Sequence, residues 1–209
     1  MTGVPSKGCS PDLICNLYSG FRSYHIMVDD TILVKRIVNG DRAAFKLLIQ
    51  QYEKLVLHMV CRVITHREDC EDVCQEVFLK VYQKLPSFRF QSKLSTWIAT
   101  IAYRTALTHA QRQKPVNAVI DESVEQAVTV SAPNLLDKQA VYQYIHAQIA
   151  QLPVHYRVVL TLYHLEEKSH AEIQAITRMP EGTVKNYLFR ARKLLKNKLI
   201  THFSSEELP

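Results

Sequence analysis

The sequence predicts an all-α protein: two small helical domains joined by a flexible linker. Three observations carry this. Glycine occurs only five times in 209 residues, while Leu, Ala, Lys, Gln and Glu, the better helix formers, are abundant. Apolar residues recur at steps of three and four through two long blocks, the spacing of one helix face. Two stretches break that spacing. Residues 1–28 carry Gly3, Pro5, Gly8, Pro11 and Gly20, and residues 115–136 hold Pro115, Pro133 and many Val, Ser and Thr. The expected organisation is a disordered extension over 1–28, a helical domain over 29–114, a linker over 115–136, a second helical domain over 137–200 and a disordered tail over 201–209. A chain of this length supports two cores, each near the lower size limit for independent folding.

In chain order, Asp30 is placed to cap a short helix, Thr31 to Val38, with Ile32, Leu33 and Ile37 apolar and Asn39-Gly40 as its stop. Asp41 caps a longer helix whose apolar face is Phe45, Leu48, Tyr52, Leu55 and Met59, widened by Val56, Val60 and Val63. The next helix carries Cys70, Val73, Val77, Val81 and Leu85 on one face and Asp72, Gln75, Glu76 and Leu79 mostly on the other. Asp69, Glu71 and Asp72 sit in its first turns, where the helix dipole favours negative charge, and Pro86 ends it. A short polar loop, Ser87 to Ser95, leads into a helix capped by Ser95 or Thr96 that buries Trp97, Ile98, Ile101 and Ala102.

In the second block Val141, Ile145, Ile149 and Leu152 form one stripe, ended by Pro153. A helix from there to about Leu165 has Val158, Val159, Leu162 and Leu165 apolar. Ser169-His170-Ala171-Glu172 is a capping box that opens a helix carrying Ile173 and Ile176. A turn at Thr177-Arg178-Met179-Pro180 precedes a final helix starting around Glu181 to Thr183. That helix buries Val184, Leu188, Ala191 and Leu195 and exposes Lys185, Asn186, Phe189, Arg190, Lys193 and Lys196.

Charge points to partners. The net charge is +6 and the pI about 9.0, which suits a nucleic-acid partner. From Arg67 to Glu76 the chain is mostly acidic. After Glu76 no acid appears until Asp121, while Lys80, Lys84, Arg89, Lys93, Arg104, Arg112 and Lys114 all do. Tyr82, Phe88, Phe90, Trp97 and Tyr103 interleave with these cations. The acidic part suits one partner, and the basic part suits a phosphate backbone with unstacked bases. The competing account, that charges merely solvate helix faces and aromatics fill the core, does not explain so long a run without acid. The capping box, turn and final helix follow the helix-turn-helix plan, with seven basic residues and one acid from Arg178 to Lys198.

Other classes fit poorly. No phosphate loop, metal-ligand set or nucleophile–base arrangement is present, so no catalytic residue, cofactor or metal is expected. Of Cys9, Cys15, Cys61, Cys70 and Cys74 none forms a CxxC pair, and buried reduced thiols are the expectation. No apolar run approaches a membrane span and no signal-peptide core opens the chain, so a cytoplasmic protein without membrane insertion is expected.

The run E-D-V-C-Q-E-V-F-L-K-V-Y, with L-P-S-F-R-F and T-W-I-A-T-I-A after it, resembles the second conserved region of extracytoplasmic-function sigma factors, the small promoter-recognition subunits of bacterial RNA polymerase. S-H-A-E-I-Q-A-I followed by P-E-G-T-V-K-N-Y-L-F-R-A-R-K-L-L is similar to the fourth, and N-G-D-R-A-A-F-K-L-L-I-Q-Q-Y resembles the opening of the family. The resemblance spans about Asp29 to Leu199, which leaves Met27 as an alternative start to Met1.

The resemblance implies an alternative sigma factor that binds core polymerase and recognises minus-ten and minus-thirty-five promoter elements. Residues 29–114 would be region 2 and 137–200 region 4. Asp72, Gln75, Glu76, Phe78 and Leu79 would dock on the clamp helices of the largest subunit, with the flap region as a second core contact. Lys84, Phe88, Arg89, Lys93, Ser95, Thr96, Trp97, Thr100 and Arg104 would meet the minus-ten element. Thr183, Lys185, Asn186, Phe189, Arg190 and Lys193 would meet the minus-thirty-five element. The linker would thread through polymerase, and an anti-sigma factor is an implied partner. The sequence departs from the family at Arg104, Thr108 and Tyr187, where Asn, Asp and Arg are common. The alternative is a helix-turn-helix regulator acting without core docking, which leaves the acid-then-basic stretch unexplained.

Overall fold

The structure is a computed structural model that describes residues 28–113 and 138–203. The expected linker, nearly all of the N-terminal extension, Lys114, Cys9 and Cys15 lie outside the described residues. The described elements are α1 (Asp30–Val38), α2 (Arg42–Cys61), α3 (Arg67–Lys84), a 3-10 turn (Leu85–Ser87), α4 (Leu94–Gln113), α5 (Lys138–Ala150), α6 (Val154–Leu160), a π-helical turn (Thr161–Leu165), α7 (His170–Thr177) and α8 (Glu181–Phe203). Every regular element among the described residues is helical, in keeping with the low glycine content.

Local chemistry sets most boundaries. Asp29, not Asp30, caps α1: its carboxylate accepts the amides of Thr31 at 2.8 Å and Ile32 at 3.2 Å, the two orphan donors that an N-cap can reach. Asp30 instead accepts the Tyr52 hydroxyl at 2.5 Å and the Gln51 amide at 3.1 Å, tying α1 to α2. Gly40 takes φ +91° after α1, a backbone that favours glycine. Asp41 caps α2 through the amides of Ala43 and Ala44. α4 starts one residue before the expected Ser95 or Thr96, because the amides of Thr96 and Trp97 already bond to the Lys93 carbonyl. Both hydroxyl residues therefore lie inside its first turn.

The first domain closes around Leu33, Leu48, Val56, Met59, Val77 and Ile98, all fully buried. The second closes around Val158, Leu162, Ile173, Ile176, Val184 and Leu188. α5 is rotated from its expected stripe: Tyr144, Ala147, Ile149 and Leu152 are buried, while Val141 and Ile145 are half-buried. α5 packs on α8 and also sends His146 to Arg62 of the first domain, so its buried arc faces two neighbours. α8 runs to Phe203, so the first three residues of the expected disordered tail are helical.

The capping box at Ser169 is complete: the Ser169 hydroxyl accepts the Glu172 amide, and the Glu172 carboxylate accepts the Ser169 amide. Ser169→Ala is expected to lower stability by about 1 kcal/mol, read as a shifted urea midpoint with an unchanged slope.

Candidate nucleic-acid interface

α3 carries two kinds of surface. Its inner face, Cys70, Val73, Val77 and Val81, is buried. Outward, Asp72 and Gln75 are exposed and Leu79 is 62 % exposed, a large apolar side chain open to solvent beside acids. Glu76 lies between them and pairs with Lys80 at 2.7 Å. Phe78 is half-buried and packs on the core, so its ring supports the face more than it projects from it.

The second half of α3 meets α4 in an open groove of about 150 Å³, lined by Lys80, Lys84, Thr100, Ile101, Arg104, Thr105 and Thr108. Thr100, Arg104 and Thr108, an i, i+4 row along α4, form one wall. Lys80 and Thr105 were not expected there; Lys80 lies one turn before Lys84, and its ammonium donates to the Thr105 hydroxyl at 3.3 Å. Burial, then the nearby Arg178 charge, holds the Arg104 guanidinium below its usual range. The groove presents cations and hydroxyls on a helical wall, the donors that a phosphate backbone requires.

The loop before α4 supplies aromatics. Phe88 is buried and packs with tilted rings against Trp97, centroids 5.0 Å apart, and Phe90, centroids 4.7 Å apart. Phe90 is 46 % exposed and has φ +55°. Phe88 is therefore the base of an aromatic cluster whose open end is Phe90. Arg89 and Lys93 are exposed beside it. Tyr103 is buried in the core, so that aromatic of the basic run does not reach the surface.

On α8, Val184, Leu188 and Ala191 are buried and Leu195 half-buried, which turns Lys185, Asn186, Phe189, Arg190 and Lys193 outward. Phe189 is 69 % exposed. Lys185 pairs with Glu181 at 2.7 Å, and that partner holds the Glu181 carboxyl below its usual range. Arg190 and Lys193 flank an open cleft of about 350 Å³ with Tyr156, Leu194 and Asn197. Tyr187 packs edge-on against Tyr156 at 5.3 Å, so its phenol ring faces its own domain.

Other expected site residues point elsewhere. Thr96 is 3 % exposed and its hydroxyl donates to the Glu172 carboxylate at 3.2 Å, across domains. Ser95 accepts the Lys168 ammonium at 2.7 Å. Lys93 pairs with the same Glu172 at 3.1 Å. Burial would raise the Glu172 carboxyl, but the Ser169 amide, Lys93 and the Ser169 hydroxyl hold it down at about 2. A second set of bonds joins the domains: Arg62 donates to the Thr161 hydroxyl at 2.9 Å and to His146 Nδ1 at 2.8 Å, and His58 pairs with Glu166 at 2.5 Å. Burial, then the Arg62 and His58 charges, pushes His146 down to about 3, so its ring is neutral and accepts. Nothing in the sequence marked Glu172 or Arg62 as cross-domain partners; Glu172 was legible only as a cap.

Among the described residues no cluster of His, Cys, Asp and Glu could hold a metal ion, and no helix is long and apolar enough to cross a membrane.

Two family models match: sigma-70 region 2 over residues 48–116 and sigma-70 region 4 over residues 142–195. The chain is 37% identical over 180 residues to the ECF RNA polymerase sigma-E factor of Escherichia coli (strain K12), covering 81% of this chain and 94% of that protein. It is 32% identical over 182 residues to the RNA polymerase sigma-H factor of Pseudomonas aeruginosa, covering 81% of this chain and 93% of that one. Its fold resembles CnrH in complex with the cytosolic domain of CnrY, with TM-score 0.59, 17% identity and coverage of 82% of this chain and 97% of that. It also resembles the sigma factor RpoE in complex with the anti-sigma factor NepR from Bartonella quintana, with TM-score 0.52, 23% identity and coverage of 73% and 96%.

Proposed function

The chain belongs to the extracytoplasmic-function group of the sigma-70 family, and on that premise we propose how its surfaces divide the work of an alternative sigma factor, which directs promoter-specific transcription. The observation that carries the division is the split of α3 into an exposed acidic and apolar face and a cationic groove shared with α4. The first face, Asp72, Gln75, Glu76 and Leu79 over Phe78, meets the clamp helices of polymerase core. An anti-sigma factor is a second proposed partner, since the same open surface is available to a competitor. The groove, with Lys84, Thr100 and Arg104, tracks the phosphates of the melted minus-ten strand. Arg89, Lys93 and the cluster of Phe88, Phe90 and Trp97 receive an unstacked base, whose extrusion costs a few kcal/mol that stacking offsets. The protein contributes recognition without catalytic chemistry of its own and works beside polymerase in the cytoplasm, with the flap region as the expected seat of the second domain.

On α8, the Thr183 hydroxyl and the free amides of the helix start hold a phosphate. Asn186 pairs with an adenine edge, Lys185 with guanine once it leaves Glu181, and Phe189 meets a thymine methyl. Arg190 and Lys193 meet phosphates. Asn186→Ala in the holoenzyme is expected to cost about 1–3 kcal/mol at one upstream base position and to relax specificity there. Lys193→Ala is expected to weaken all promoters alike and to lower the salt slope by about one unit. Binding across a set of substituted upstream elements tests both. Loss of base preference with Lys193→Ala and uniform loss with Asn186→Ala would mean that α8 docks in another orientation.

A further inference from the structure

Three thiols meet where α2 turns into α3, and the functional reading uses none of them. Cys61 is the last residue of α2, and Cys70 and Cys74 lie one turn apart in the first half of α3. The expectation of buried thiols holds for Cys70, which is 4 % exposed, whereas Cys61 and Cys74 are half-buried and partly open to solvent. Cys70 Sγ lies 3.4 Å from the Ile64 carbonyl and hydrogen-bonds to the Cys61 sulfur. Val63 and Ile64, in the turn between the helices, are themselves buried, so the core holds the two sulfurs together. Arg62, next to Cys61, places a guanidinium charge near its sulfur. The Cys70 hydrogen bond, then the Arg62 charge, outweigh burial and hold the Cys61 thiol below its usual range. Cys74 differs: burial, then the Cys61 and Glu71 charges, pushes its thiol up to about 12. A partly exposed thiol beside a cation, with a second thiol in contact, is the setting of a reactive cysteine and its resolving partner.

We propose that Cys61 and Cys70 are an oxidant-responsive pair, which hydrogen peroxide converts to a disulfide that weakens core docking. The Cys61 thiolate attacks one peroxide oxygen. The O–O bond breaks, the other oxygen leaves as hydroxide, and Cys61 becomes a sulfenic acid. The Cys70 thiolate then attacks that sulfur, forms the S–S bond and expels a second hydroxide. The two thiol protons turn both hydroxides into water, each thiol gives up one electron, and one peroxide is reduced to two waters. Cys70 resolves rather than Cys74, because Cys70 already contacts the Cys61 sulfur and Cys74 holds its proton more tightly. The new bond takes the Cys70 sulfur from the Ile64 carbonyl and ties the first turn of α3 to the end of α2. Asp72, two residues on, is thereby moved on the outer face. This consequence rests on the assignment of that face to core docking.

The test treats the full, reduced chain with hydrogen peroxide, alkylates the remaining thiols and maps tryptic peptides by mass spectrometry. Cleavage after Lys54, Arg62, Arg67 and Lys80 puts Cys61 on one peptide and Cys70 with Cys74 on another. A Cys61–Cys70 disulfide should therefore join two peptides that a reductant separates. Cys74→Ala should keep the joined product. Cys70→Ala should lose it and leave Cys61 as a sulfenic acid that a cyclic 1,3-diketone captures. Mapping of the unmodified chain is decisive even if a variant folds poorly. The oxidised chain should bind core about tenfold more weakly than the reduced one, the loss of one favourable charge contact, and recover on reduction. Cys61→Ala should bind core equally with and without peroxide. A Cys61 that stays unlinked, or joins Cys74, Cys9 or Cys15, overturns the proposal. So does equal core affinity of the reduced and oxidised chains when Asp72→Lys with Glu76→Lys abolishes docking. Failure of the docking assignment looks different: that double variant binds core normally, and the peptide map still decides the thiol pair.

Discussion

Charge reversal at both Asp72 and Glu76 to Lys is expected to abolish co-purification with polymerase core, weakening the complex by about 100-fold or more. Both side chains reach solvent on the outer face of α3, and neither contributes to the core. A face that meets a basic partner through such residues gains attraction from each carboxylate, and reversing one sets like charges against each other, at a cost of several kcal/mol. Even about 1.4 kcal/mol per site multiplies to two decades in affinity. The fold is insulated from the change. Glu76 gives up its 2.7 Å pair with Lys80, and the new i,i+4 repulsion costs only a few tenths of a kcal/mol. Circular dichroism should therefore match the unmodified protein while core is lost from the pull-down. Normal core binding by this double variant would remove α3 from the docking surface.

Replacing Arg89, Lys93 and Arg104 by Ala together is expected to remove open-complex formation while core binding persists. All three side chains are exposed, and they flank the Phe88–Trp97 pair and the groove of Lys80, Lys84 and Thr100. If each neutralises one phosphate of a single strand, the salt slope of strand capture falls by about two units. Permanganate reactivity of unpaired thymines in the promoter reports melting directly, and a pull-down reports docking. Lys93 has a second partner in Glu172, so its single variant loses a phosphate contact and also loosens α7. The Arg89 and Arg104 pair isolates the DNA contribution. An unchanged footprint in the triple variant would place the melted strand elsewhere.

By itself the sequence determined the helices and their faces. The i, i+3, i+4 spacing of Val73, Val77 and Val81 and of Val184, Leu188 and Ala191 fixed which sides are buried, because helix faces depend only on local spacing. The same spacing placed Asp72 and Leu79, and Asn186 and Phe189, in solvent. The Ser169–Glu172 box was legible because a cap reaches only three residues. Tertiary structure decided what packing over long sequence separations controls. Asp30 lost the cap to Asp29 and bonds instead to Tyr52, 22 residues on. α5 turned toward Tyr144 because it packs between α8 and Arg62. Thr96 is closed by Glu172, 76 residues later, and His58 pairs with Glu166, 108 residues later. Such contacts leave no periodic trace in the chain, since local spacing does not say which distant residue a polar group will meet. Only the packing of helices on one another, and of one domain on the other, brings them together.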